Sequence, residues 1–193
     1  MFKVIVKSVF AGSSCLALAA APALAQVPGP VVYTVVVPGN EFGSPAFLAE
    51  LLGTLEAAKA FCRATGDSAL QVDCLSERLE AAADTIPEGT DYDEVRGVLQ
   101  DTSERLKRLA RQNRDPERGR VTVASAADPG ERTRRPLTPV SAAAQTAVNL
   151  EAARILEEAA TVLLRSAETA RDRQTQYAQI AAAIDSNKVL LRS

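Results

Sequence analysis

The chain has 193 residues, with 24 acidic against 22 basic side chains, a formal net charge of −2, and neither histidine nor tryptophan. A balance this close to neutral gives no general reason to expect nucleic acid as a partner. The lack of histidine removes the usual general base, the serine–histidine and cysteine–histidine nucleophile systems and the commonest transition-metal ligand.

Other catalytic vocabulary is equally thin. No Ser-x-x-Lys pair, glycine-rich phosphate loop or haem-attaching CxxCH occurs. The acidic run from Glu88 to Glu94 departs from a calcium loop, because Val95 stands at the fifth position counted from Asp91 and Arg96, not glycine, at the sixth. Its carboxylates are expected to cap a helix and complement its dipole. A carboxylate-only hydrolase has many candidate acids and no pair singled out. The expectation is a protein that is not an enzyme, with no cofactor and no metal.

The first 25 residues, MFKVIVKSVFAGSSCLALAAAPALA, combine Lys3 and Lys7, an apolar run and a small-residue Ala23-Leu24-Ala25 end, the pattern of a secretory signal cleaved after Ala25. Gly12, Ser13, Ser14 and Pro22 interrupt the roughly 18 to 20 apolar residues that a membrane span needs. The predicted product is periplasmic or secreted, without a transmembrane span once the signal is removed.

Residues 26–43 form an extended segment, in which VVYTVVV (31–37) is β-branched and aromatic and reads as a strand. It pairs either with RVTVA (120–124) in a small β-ribbon or with the edge of a partner's sheet. A three-helix region follows over 44–113. Ser44 caps the first helix with Pro45 at its first position, and Leu48, Leu51, Leu55, Ala58 and Cys62 recur at steps of three and four. Gly66 stops it, and Ser68 with Gln71 reads as the capping box of the second helix, whose stripe is Val72, Leu75, Leu79, Ala82 and Ile86. After Pro87-Glu88-Gly89, Thr90 or Asp91 caps a third helix carrying Tyr92, Val95, Leu99, Thr102, Leu106 and Leu109. Tyr92 and, on the stripe of the last segment, Tyr177 are expected in the core, the alternative being a ligand pocket.

Cys62 and Cys74 decide how the first two helices sit. On one continuous helix they would be about 18 Å apart, too far for a disulfide, whereas the Gly66 stop folds the segment into a hairpin that brings them together. With an oxidising compartment predicted, a structural disulfide is the reading.

Charge is uneven along the chain. Residues 41–104 hold 14 acids and 4 bases, residues 105–135 hold 10 bases and 4 acids, and residues 136–193 hold six of each. The basic stretch coincides with a Pro- and Gly-containing connector, 114–138, that reads as flexible. Arg111, Arg114, Arg118, Arg120, Arg132, Arg134 and Arg135 are its candidate docking residues for an anionic surface, the alternative being that some fold back on the acidic first half. Beyond it, 139–193 lacks glycine and any further proline, so one long C-terminal helix, about 70 Å over 139–186, is expected to outrun its neighbours or bend. Its stripe becomes small and polar midway. That gradient makes the distal half a projecting surface, with Arg165, Ala167, Ala170, Gln174, Tyr177, Ala181 and Ile184 as partner-binding candidates.

The predicted architecture is an all-α up-down bundle: a disulfide-stapled helical hairpin, two further helices and a long, projecting last helix. The expected role is a protein-interaction or structural component of the cell envelope that binds an envelope protein or a second copy of itself. A small-ligand-binding or sensing bundle, holding its ligand near Tyr92 and Tyr177, is the alternative.

Overall fold

Ser44 and Pro45 start the first helix as their chemistry requires. The Ser44 hydroxyl accepts the Phe47 amide at 3.1 Å, and proline stands where a helical N–H would have no partner. In the computed structural model, which describes residues 44–125, 130–169 and 173–192, α1 runs Pro45–Ala64, α2 Gln71–Asp84, α3 Asp93–Gln112, α4 Gln145–Thr169 and α5 Gln174–Ser186. Short 3-10 turns at Ser68–Leu70 and Asn187–Arg192 precede α2 and follow α5. The signal-like segment and residues 31–37 lie outside the described residues.

The helices close a ring: α1 packs on α2, α2 on α3, α3 on α4, α4 on α5, and α5 returns to α1. Side-chain pairs give the directions. Cys62 late in α1 meets Cys74 early in α2, and the Ser76 hydroxyl in α2 donates to the Ser103 carbonyl in the second half of α3 at 2.9 Å, so both pairs are antiparallel. Glu94 at the start of α3 accepts from Ser166 near the end of α4, again antiparallel. Lys59 donates to Ser186 across α1 and α5, which run parallel. The predicted stripes are the core: Leu51, Leu55, Val72, Leu75, Leu79, Val95, Leu99, Leu106, Leu156 and Leu163 are all buried.

Gly66 adopts φ +66°, the left-handed conformation that ends α1 at little cost for glycine alone. The cap of the next turn differs from expectation. Asp67, not Ser68, accepts the Ala69 amide at 3.0 Å, and the 3-10 turn intervenes before α2 begins. The resulting hairpin places the Cα atoms of Cys62 and Cys74 5.7 Å apart, inside disulfide range, with both residues fully buried.

Two expectations are corrected. The long projecting helix is instead two helices: α4 ends at Thr169, α5 starts at Gln174, and α5 packs back along α4. The cause is that the chain from Glu168 to Gln176 carries no large apolar side chain, while Tyr177, Ile180, Ala181 and Ile184 beyond it gain burial by returning to the bundle. The basic connector, read as flexible, is folded. Its ends meet, the Ser141 amide donating to the Asn113 carbonyl at 2.9 Å, so the link from α3 to α4 needs none of the residues between. Those residues form a ribbon with antiparallel bridges at Arg114–Val140, Val121–Leu137 and Ala124–Arg132. RVTVA therefore pairs, among the described residues, with 131–137.

Closing the loop between Cys62 and Cys74 stabilises the fold by about 3 kcal/mol. The double variant Cys62→Ala/Cys74→Ala is expected to lower the urea-unfolding free energy by about that amount. Two reactive thiols in the unreduced native protein would contradict the bond.

Candidate functional site

The ribbon is held by an acidic stripe on α2. Asp73, Glu77, Glu80 and Asp84 recur at steps of four, three and four, one helical face. Asp73 has no exposed surface and Glu77 almost none. A carboxylate so placed needs both charge and hydrogen-bond partners. Arg135 supplies a two-pronged contact, Nη1 to Oδ2 and Nη2 to Oδ1 of Asp73, each at 2.8 Å, and the Thr138 amide adds a third bond at 2.6 Å. Glu77 accepts the Arg134 amide at 2.8 Å, while the Arg78 guanidinium lies beside it and over the Phe61 ring, 3.7 Å from its centre. Burial works against the Arg135 charge, but hydrogen bonding and attraction from Asp73, with Glu80 and Glu77 behind it, outweigh burial and raise its pKa.

Period-two alternation then sorts the ribbon's side chains. Thr133, Arg135 and Leu137 are buried or half-buried, whereas Arg132, Arg134 and Pro136 are exposed. The seven predicted docking arginines divide by whether an acid lies within reach. Arg135 is the anchor. Arg134 pairs with Asp84 at 2.7 Å and Arg118 with Asp67, whose carboxyl is held below its ordinary range chiefly by the Arg118 hydrogen bond. Arg111, Arg114, Arg120 and Arg132 are exposed and make no ion pair among the described residues. Asp115 and Glu117 are the acids interspersed near the ribbon's base.

The candidates on the last segment fare differently. Ala167, Tyr177, Ala181 and Ile184 are buried against the chain's own helices, so they are core and not a free surface. Arg165 and Gln174 are exposed, and Ala170 lies outside the described residues. Tyr92 and Tyr177 join the starts of α3 and α5. Tyr92 packs edge-on to Phe47 at 5.1 Å and lies 6.3 Å from Tyr177, its hydroxyl donating to Gln176 at 2.6 Å, while Tyr177 donates to the Asp91 carbonyl at 3.0 Å. Both rings are buried among the helices. A groove of about 540 Å³ lies elsewhere, between α4 and the last turn, lined by Asn149, Leu150, Lys188 and Leu191 among others. Among the described residues no cluster of acids and cysteines is arranged to hold a metal ion.

The acidic stripe on α2 escaped sequence reasoning although its spacing was visible. Apolar periodicity drew attention to the other face of the same helix. Compared with known proteins, the chain matches no family model, no curated protein and no solved structure.

Removing one partner of a buried pair leaves an uncompensated charge and costs about 3 to 5 kcal/mol. Arg135→Ala is expected to destabilise by that order in urea unfolding, and Arg135→Lys to rescue only part, since a single ammonium cannot reproduce the fork. The pair variant Asp73→Leu/Arg135→Leu should be far less damaged than Arg135→Ala alone. Burial raises the hydroxyl pKa of both Tyr92 and Tyr177. The folded state thus favours their neutral form, a contribution complete below the ordinary value near 10 and lost as pH rises through the raised values. Ultraviolet titration of Tyr33→Phe should show both ionising late, with alkaline unfolding alongside.

Proposed function

We propose that this is an exported, disulfide-stapled helical interaction protein of the cell envelope, cleaved after Ala25, which binds a protein partner of acidic surface through its arginine-bearing ribbon. The observation that carries this reading is the division of the arginines. Arg118, Arg134 and Arg135 are paired with carboxylates of the first half of the chain, and Arg111, Arg114, Arg120 and Arg132 are left exposed without ion pairs among the described residues. The ribbon is also unnecessary as a link, because the chain already closes at Asn113 and Ser141. A segment of more than two dozen residues retained where a short turn would serve suits a recognition element mounted on a rigid frame. The leader-like sequence and the buried disulfide support export to an oxidising compartment.

The partner surface moves from the last helix to the ribbon for a physical reason: Tyr177, Ala181 and Ile184 are already spent on the core. Unpaired surface arginines contribute mainly to the rate and specificity of encounter. The test is capture from the native envelope with the mature protein and with Arg111→Glu/Arg114→Glu/Arg120→Glu/Arg132→Glu. Wild type should retain an acidic protein in a salt-sensitive manner, and the variant should lose it while keeping its thermal transition. Equal capture by both, or a strict monomer that retains nothing, would sink the proposal.

A further inference from the structure

The outer segment of the ribbon leaves one backbone edge free. In an antiparallel pair, alternate residues turn their N–H and C=O groups toward the neighbour and the intervening residues turn theirs away. Val121 exchanges both bonds with Leu137, at 3.0 and 2.8 Å. The Val123 carbonyl accepts the Thr133 amide at 2.8 Å, and its N–H donates to the Thr133 hydroxyl at 3.1 Å. Ser125 donates to the Glu131 carbonyl at 2.7 Å. Thr122 and Ala124, between these, are exposed, and their backbone groups have no hydrogen-bond partner among the described residues.

The 131–137 segment is held against α2 instead. Its far side is taken by α2, through Glu77 to the Arg134 amide and Asp73 to the Thr138 amide. The free side of 120–125 is thus an outward edge on which two alternate residues, Thr122 and Ala124, are unbonded among the described residues. Residues of one parity on this segment, Arg120, Thr122 and Ala124, share the outward face with Arg132, which lies opposite Ala124. The other parity, Val121 and Val123, faces inward, Val123 half-buried and Val121 still 40% exposed.

We propose that this edge takes an extended acidic peptide segment of the partner as an added strand. Its backbone would pair with Thr122 and Ala124. Its alternate side chains would be acidic on the outward face, toward Arg120 and Arg132, and apolar on the inward face, covering Val121. Main-chain bonds supply affinity in strand addition and side chains supply selection. Flanking charge also guards an edge against pairing with a like copy, and arginines there favour an acidic strand over a second copy of this ribbon. The inference rests on the ribbon being the partner surface and adds the chemical form of what binds.

The probe is a fluorescein-labelled ten-residue peptide of alternating Val and Glu, together with the same peptide N-methylated at alternate amides, which keeps its charge and blocks pairing. Each lost hydrogen bond is worth about 1 kcal/mol, so two lost bonds predict a fall in affinity of roughly tenfold or more for the methylated form. Amide exchange at Thr122 and Ala124 in the mature protein should slow on adding the unmodified peptide, a readout independent of any variant. Arg120→Glu/Arg132→Glu should abolish binding of both peptides. If both peptides bind equally, or exchange at Thr122 and Ala124 is unchanged on binding, strand addition is wrong while the arginine surface stands. If neither peptide binds, or the charge-reversed protein binds as well as wild type, strand addition is wrong; capture with the fourfold variant then decides the broader reading separately.

Discussion

A carboxylate with no exposed surface sits in the first half of α2, and the arrangement around it depends on how its charge is met. A carboxylate buried there needs partners for its oxygens. The Arg135 fork and the Thr138 amide meet it, and in doing so they fix a segment more than sixty residues later against the helix. From that anchor the ribbon runs along the acidic stripe, Arg134 reaching Asp84 and Glu131 reaching Arg78. One helix is thereby secured on two faces by different means, apolar packing and the disulfide on one, charge and hydrogen bonds on the other.

This division of labour decides what surface is left for recognition. Intramolecular pairing takes Arg118, Arg134 and Arg135 out of play, and the unpaired ones on the ribbon gain a rigid mounting from these neighbours. An arginine on a tethered loop would lose conformational entropy on meeting a partner, whereas one on an anchored ribbon has lost much of it already. The same anchoring holds the 120–125 segment at the outside with its backbone open.

The C-terminal half shows packing overriding local preference. Neither glycine nor proline marks the point between α4 and α5, and the helix propensity of an alanine-rich chain runs straight through it. Two helices nonetheless form, because a single one would carry Tyr177, Ile180 and Ile184 past the end of the bundle into water. Asp91 and Glu94 at the start of α3 receive Arg173 and Ser166 from either side of the reversal, tying it to the frame. The informative sequence signal was the apolar gap between Ala167 and Tyr177, a change in burial pattern and not a turn residue.

By itself the sequence determined the helical class, the first three helices with their core stripes, the Gly66 reversal and the cysteine pair, all of them encoded by spacings of three and four or by one glycine conformation. Those are local properties that neighbours in the chain express without help. Which segment RVTVA pairs with, which connector arginines meet which acids of the first half, and the return of α5 were decided only by tertiary structure. Charge and apolar surface are satisfied by whatever lies near in space, and Arg135 finds Asp73 across sixty-two positions that no local pattern can connect.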